Sequence, residues 1–300
     1  MQIFSSLYKK TLFLQISYPL VFAFDRDTLH RDVLATILHF IWILFYGGFL
    51  LIYDTFAPFY DQAMNDYSWC EHFLHTMIES KLTNRTSVLE LGCGTGRILQ
   101  LVSRYFTHSA GIDINPSMME YAKKRLPTSK FYHQDMRSFN LSASYDLILC
   151  LFDSINHLTS FDYWQQTFSR IKEHLAPGGV CIFDMNTPQK LSRLALLPPF
   201  VHPFGNDDMM IMDVVEDKTY ADESGLFHFE TTLFEHLEDD LYKRHIERII
   251  EYAPTAELVF STVSSQCSSV EMYDEDERKI GPSLPLSEVH DGRIFFLCRY

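Results

Sequence analysis

Two rhythms of apolar and polar positions run through this chain. From Tyr53 onward, short apolar runs with strand character alternate with stretches whose apolar residues recur every three to four positions. Asp66–Leu82 reads as an amphipathic helix carrying Trp69, Phe73, Met77 and Ile78 on one side. Strands are expected at Thr86–Leu91, Ala110–Ile114, Lys130–His133, Tyr145–Leu151 and Val180–Met185. Helices are expected between them at Arg97–Tyr105, at Pro116–Leu126 (ended by Pro127) and at Phe161–Leu175, closed by Ala176-Pro177-Gly178-Gly179. The mostly apolar run at Tyr145 suits a parallel strand covered on both faces. Strands alternating with helices of this length predict a doubly wound α/β sheet. The rhythm then changes. Residues 209–217, 226–237 and 241–252 read as three strands with no helix between them, and Glu238-Asp239-Asp240 as a hairpin turn. Pro254–Gln266 reads as a helix, Val270–Tyr273 and Ile294–Arg299 as the last strands, and Asp274–Asp291 as a loop.

The N-terminal residues break the pattern. Residues 33–52 carry no charged side chain. As a helix they would span ~30 Å, enough to cross a bilayer. Thr11–Phe24, behind Lys9-Lys10, looks like a short signal h-region. The positive charges argue the other way. Lys9, Lys10, Arg26 and Arg31 precede the apolar run and none follows before Lys81, so a true span would place everything after residue 52 outside the cytoplasm. A non-spanning arm, an extension from an upstream start, and a membrane segment through 33–52 all stay open. The expected organisation is an apolar extension over 1–52 and one domain over 53–300, with the β insertion at about 205–252.

The chemistry concentrates at Val88-Leu89-Glu90-Leu91-Gly92-Cys93-Gly94-Thr95-Gly96, an apolar strand that ends in an acid and runs into alternate glycines and a helix. This is how open α/β sheets hold nucleotide-bearing ligands. The dinucleotide fingerprint needs glycine where this chain has Arg97, which turns the reading away from nicotinamide cofactors. Three hundred residues, 47% of them hydrophobic, are enough for a sizeable core. A net charge of −14 argues against a nucleic-acid partner, which would need a basic footprint. Six cysteines without a Cys-x-x-Cys pair read as buried thiols, and Cys70, His72 and His75 lack a fourth ligand at a metal-site spacing, so no metal is expected.

Taken in order, these motifs resemble the class I S-adenosylmethionine-dependent methyltransferases. The resemblance is strongest to the small-molecule branch with an antiparallel insertion, which includes sugar N,N-dimethyltransferases and glycine N-methyltransferase-like enzymes. It covers Tyr53 to Tyr300 and implies a seven-stranded Rossmann-like sheet with the insertion between strands five and six. It further implies S-adenosylmethionine as cofactor, a small-molecule acceptor methylated on nitrogen or oxygen, and a cytoplasmic location. Glu90, Gly92, Cys93, Gly94 and Gly96 match the loop facing the cofactor's methionine part. Asp113, with Ile114 beside it, matches the acid that accepts from both ribose hydroxyls. Asp135 and Met136 match the adenine site. Phe152, Asp153, Ser154, Asn156 and His157 match the segment facing sulfonium and acceptor, and Asp184 and Asn186 end the fifth strand. A non-catalytic S-adenosylmethionine-binding protein and a membrane-tethered lipid methyltransferase are the competing readings.

His157 stands where sugar-amine enzymes of that branch carry a histidine, so it is a candidate base for an amine acceptor. Tyr60 is the arm aromatic expected near the sulfonium, where ring faces attract cations. Between residues 205 and 240 twelve acids stand against Lys218 alone, an arrangement that would attract a cationic acceptor.

Overall fold

A computed structural model describes residues 11–17, 20–25, 53–205, 207–218, 224–281 and 292–300. The chain divides into two units, Met1–Leu51 and Ile52–Tyr300. In the first, β1 (Thr11–Ser17) and β2 (Leu20–Asp25) pair antiparallel. The run Thr11–Phe24, which looks like a signal h-region in sequence, is thus a pair of strands here. A helix there would have to run through Pro19, and Leu12, Leu14 and Ile16 recur with the strand period of two. The membrane expectation for 33–52 lies outside the described residues. Among the described residues no helix is long and apolar enough to cross a membrane.

The second unit opens with α1 (Ala57–Ala63) and α2 (Ser68–Lys81). The sheet strands and helices follow as β3 (Ser87–Leu91), α3 (Arg97–Ser103), β4 (His108–Asp113), α4 (Pro116–Arg125), β5 (Lys130–His133), β6 (Tyr145–Cys150), α5 (Phe161–His174) and β7 (Leu175–Asn186). After an insertion come α7 (Ala256–Ser264), β12 (Ser269–Tyr273), β13 (Lys279–Ile280) and β14 (Arg293–Arg299). The spatial order is β13-β12-β14-β7-β6-β3-β4-β5. The run from β7 to β5 is parallel, and β14 enters antiparallel beside β7. Seven of these strands are the expected ones. The eighth, β13, is two residues of the stretch expected as loop.

Alternation along the strands builds two cores, one on each face of the sheet. Phe183 and Phe296, stacked with centroids 4.7 Å apart, meet Trp164 and Phe168 of α5 on one face. Phe295 and Leu297 meet Phe73, Leu74 and Ile78 of α2 on the other. Cys150, Cys181 and Cys298 are buried free thiols in the first core. Among the described residues no group of His, Cys, Asp and Glu could hold a metal ion.

The insertion consists of α6 (Pro188–Leu194), β8 (Phe200–Phe204), β9 (Asp208–Asp217), β10 (Gly225–His236) and β11 (Tyr242–Ala253). Its four strands form a separate antiparallel sheet in the order β11-β10-β9-β8. β8 was absent from the sequence reading because prolines crowd Pro198-Pro199-Phe200-Val201-His202-Pro203. An edge strand tolerates proline because its outer N–H needs no partner.

Candidate active site

Strand order reverses direction between β3 and β6, and the carboxyl ends of β3, β4, β6 and β7 gather around that point. β3 runs into Gly92, Gly94 and Gly96, whose φ angles of +65°, +49° and +78° lie in the left-handed region that glycine alone adopts without strain. At Gly92 space is closed as well: a Cβ would stand 2.7 Å from the Ser154 Cβ. The Cys93 amide donates to the Ile112 carbonyl at 2.9 Å and ties the loop to β4. Glu90 is buried beneath it with Oε2 unpartnered, and burial pushes its carboxyl well above the usual range.

Asp113 ends β4. Its Oδ2 accepts from the Gly94 amide at 2.7 Å and its Oδ1 from the Asn115 amide at 2.8 Å. Asn115, not Asp113, caps α4, because its Oδ1 accepts from the Met118 amide at 2.8 Å. The Ile114 amide donates to the Asp113 carboxylate as well, which leaves it acceptor capacity for a further donor. Ile114, next in the chain, leaves 40% of its surface exposed. Met136 brings its Cε to 3.4 Å from where a Gly92 side chain would begin, so it lines the same space.

Asp135 is different. It accepts from the Arg137 amide (Oδ1, 2.8 Å) and from Arg137 Nε (Oδ2, 2.8 Å), and forms an ion pair with the same guanidinium. Arg137 also lies over the Tyr163 ring at 4.4 Å. Asp135, expected at the purine, is thus held in place by its own turn.

After β6 the chain takes two consecutive left-handed residues, Phe152 (φ 61°) and Asp153 (φ 52°), each a strained conformation outside glycine. Asp184, fully buried at the end of β7, holds them there. Its Oδ2 accepts from the Phe152 amide at 3.1 Å and its Oδ1 from the Asp153 amide at 2.8 Å. Arg293, at the start of β14, bridges both acids, donating to Asp184 Oδ2 and to Asp153 Oδ1 at 2.8 Å each. The guanidinium holds the Asp153 carboxyl below its usual range, whereas burial wins at Asp184 and pushes it up. Asn186 Nδ2 donates to both Asp153 Oδ2 (3.1 Å) and Glu251 Oε2 of β11 (3.0 Å). Glu251 is pushed well above its usual range by burial and by the Asp153 charge. Asn156 is also fully buried, donating to the Asn186 and Tyr252 carbonyls and accepting from the Asn186 amide. Ser154 Oγ donates to the Leu151 carbonyl at 2.7 Å. The residues expected at the acceptor are thus bonded to one another, to Arg293 and Glu251, and to backbone. Ser154 and Asn156 spend their polar atoms on backbone, Asp184 divides its oxygens between backbone amides and Arg293, and Asp153 and Asn186 brace the turn.

His157 is half-buried, with Nε2 at 3.3 Å from the Tyr53 hydroxyl. Burial holds its pKa below the ordinary value, against the opposing pull of Asp153 and a hydrogen bond to the Ile250 backbone. Tyr60 does not reach it. Tyr60 packs edge-on against Tyr53 at 5.9 Å and Phe56 at 5.7 Å. Of the arm aromatics, Tyr53 is the one that meets His157.

The arm Tyr53–Ala63 roofs this region through four anchors. Tyr53 meets His157; Asp54 Oδ1 accepts from Asn115 Nδ2 at 3.3 Å; the Thr55 hydroxyl donates to Glu247 Oε1 of β11; and Asp61 Oδ1 accepts from the Thr95 hydroxyl at 2.6 Å while pairing with Arg125. Asp153, Glu251, Glu247 and Asp113 all act on the Tyr53 phenol, which burial first and these charges next push well above its ordinary value. Sequence reasoning missed Glu247, Glu251 and Arg293. The buried carboxylates sit four residues apart on β11 and share one strand face, a spacing that was visible.

Residues 88–179 match a family model described as a methyltransferase domain. Among structures, a S-adenosylmethionine-dependent methyltransferase from Clostridium acetobutylicum superposes with a TM-score of 0.67 at 23% identity, over 82% of this chain and 98% of that one. Over residues 88–179 the chain thus resembles a methyltransferase domain, and its fold is that of the superposed enzyme. A second structure with this domain's fold, Streptomyces venezuelae DesVI, superposes with a TM-score of 0.63 at 18% identity, over 82% of this chain and 97% of that one. In sequence the domain is 28% identical over 131 residues to a dTDP-3-amino-3,4,6-trideoxy-alpha-D-glucopyranose N,N-dimethyltransferase of Streptomyces venezuelae; the match spans 44% of this chain and 55% of that relative.

Proposed function

We propose that this chain transfers a methyl group from S-adenosylmethionine to an amino nitrogen of a small-molecule acceptor. The observation that carries the cofactor is the pairing of a left-handed glycine loop with Asp113, whose carboxylate keeps acceptor capacity beside it. The residues fit the group: a side chain at Gly94 would meet only the Met118 methyl at 3.3 Å, so the loop's outer side is open to close approach. Gly92, Gly94 and Gly96 would face the methionine part, Asp113 the ribose, and Ile114 and Met136 the purine. When bound, S-adenosylmethionine supplies a methyl on a positively charged sulfur. The protein's own work is alignment and exclusion of water, worth ~7–11 kcal/mol when the reacting atoms are held in line. The arm supplies the roof.

The relative's N,N-dimethyltransferase name supports an amine acceptor. So does the collar of Asp153, Glu251 and Glu247 around Tyr53, which suits an arriving ammonium. An amine must be neutral to attack. His157, held below its ordinary pKa by burial, is neutral near pH 7 and stands ready to take the proton. The cofactor's compartment makes the cytoplasm the expected place of action.

Methyl-labelled cofactor offered with a panel of amino, hydroxyl and carboxyl acceptors, read by mass spectrometry, tests this. Label on amines alone is expected. Label only on neutral or anionic acceptors would remove the amine reading, and binding without any turnover would leave a cofactor-binding scaffold.

A further inference from the structure

Cys267 departs from the other thiols. Cys70, Cys93, Cys150, Cys181 and Cys298 are buried, whereas Cys267 is half-buried and keeps a path to solvent. It stands between α7 and β12, and its neighbour Ser268 is fixed on the last strand. The Ser268 amide and hydroxyl both donate to the Arg299 carbonyl, at 2.7 Å and 3.0 Å. β12 continues that register, with Ser269 opposite Arg299 and Val270 opposite Cys298. Cys267 and Cys298 pack into the same core, and their side chains hydrogen-bond to one another. The Tyr300 hydroxyl, two residues beyond Cys298, donates to the Cys267 sulfur, and the charge of Lys172, in the last turn of α5, acts on it. Cys181, directly opposite Cys298 on β7, completes the cluster.

We propose that Cys267, primed by the donors around it, is a site of reversible oxidation by hydrogen peroxide, and that Cys298 is the thiol that closes it into a disulfide. The surroundings suit a sulfur that carries charge. A thiol and a phenol donate to one atom, and an ammonium stands near it. The Cys298 hydrogen bond first, then Tyr300 and Lys172, hold the Cys267 thiol below its ordinary value against the opposing effect of burial. Cys298 moves the other way, pushed up by the same bond and by burial, so it keeps its proton and serves as the donor. Burial alone comes first at Cys70, Cys93, Cys150 and Cys181 and pushes each of them up. Thiolate character and access, the two requirements of a peroxide-sensitive cysteine, therefore meet at Cys267.

The Cys267 thiolate attacks one peroxide oxygen. The O–O bond breaks, an S–O bond forms, and the other oxygen leaves as hydroxide, which takes a proton to become water. The sulfur has lost two electrons and the peroxide has gained them. Cys298 then attacks the sulfenic sulfur. An S–S bond forms, the S–O bond breaks, and the hydroxyl leaves as water with the Cys298 proton. One peroxide has become two waters and two thiols one disulfide, which a dithiol reduces back by exchange. Where thiol reductants are abundant such a bridge is transient. It would tie the turn after α7 to the far end of β14, five residues and ~17 Å of strand from Arg293. The site is thus separate from the cofactor cleft, and its chemistry does not rest on the methyl-transfer reading.

The reduced full chain, exposed to equimolar hydrogen peroxide at pH 7, blocked with N-ethylmaleimide and read by peptide mass spectrometry, tests this. The expected product is a cross-linked peptide pair joining Cys267 to Cys298, lighter by two hydrogens and lost on treatment with dithiothreitol. Cys298→Ser should stop at the sulfenic acid, captured on Cys267 by dimedone. Cys267→Ser should leave Cys298 reduced. Tyr300→Phe should slow the loss of the Cys267 thiol roughly three- to tenfold, because losing one charge-assisted bond lowers the thiolate fraction and returns only part of it as nucleophilicity. Should Cys298→Ser fail to fold, the wild-type cross-link and the half-exposed Cys267→Ser decide the matter. Cys267 staying reduced while another residue is oxidised overturns the proposal. So does a Cys181–Cys298 bridge in place of the expected one, or Cys298 oxidation that survives in Cys267→Ser. An unchanged rate in Tyr300→Phe also overturns it, by reducing the reactivity of Cys267 to exposure.

Discussion

Replacing Arg293 with methionine isolates the contact on which the β6–β7 corner depends. The guanidinium is almost enclosed, with 13% of its side chain exposed, and it spans Asp153 and Asp184, of which Asp184 is fully enclosed. Methionine keeps most of the volume and removes the charge. Breaking one side of a buried ion pair leaves an uncompensated charge and costs about 3–5 kcal/mol. For a unit of this size each kcal/mol moves the midpoint by about 2–4 °C, so a fall of roughly 6–20 °C is expected at pH 7.5. The pH dependence is the sharper test. Without the guanidinium, both carboxyls move upward from their present positions, Asp153 below and Asp184 above the ordinary range. Each then gains by taking up a proton, so the deficit shrinks as pH falls toward 5. Scanning calorimetry of both proteins from pH 5 to 8 measures it. A loss under 1 kcal/mol, or one that stays constant across the range, would refute the view that Arg293 neutralises this corner.

Two further outcomes bear on the same region. Gly92→Ala forces a side chain into a left-handed residue and to 2.7 Å from the Ser154 Cβ, so it should destabilise the fold by roughly 1–3 kcal/mol in thermal melts; an unchanged midpoint would show that the loop is free to move. Once an acceptor is found, the acid limb of the kcat/KM profile should fall below the ordinary histidine value, because burial lowers His157, and the limb should vanish in His157→Asn. A limb that survives the substitution would assign the base elsewhere.

The parallel core was legible because each of its signals is local. Apolar runs mark β3, β6 and β7, and alternate glycines mark a turn that only glycine adopts without strain. Asp113 was legible for the same reason, standing at a strand end just before a proline-initiated helix. Where long-range pairing decides, the sequence was silent. Asp153 meets Arg293 across 140 positions, and Glu247 meets Thr55 across 192. Nor did the sequence show that Asp135 pairs with Arg137, two residues on. Asn156 and Asp184 looked like site residues because they stand at strand ends, yet burial and backbone bonds make them braces. β8 was hidden by prolines that only its place at a sheet edge explains.

Titration calorimetry with S-adenosylhomocysteine, on the full chain and on Asp113→Ala, addresses the cofactor site without needing an acceptor. The wild type should bind with measurable heat. The variant, stripped of two charge-assisted hydrogen bonds of about 1.5–3 kcal/mol each, should lose at least a hundredfold in affinity while melting as a folded protein. No heat from folded wild type, or equal affinities for the two proteins, would contradict the assignment of this cleft.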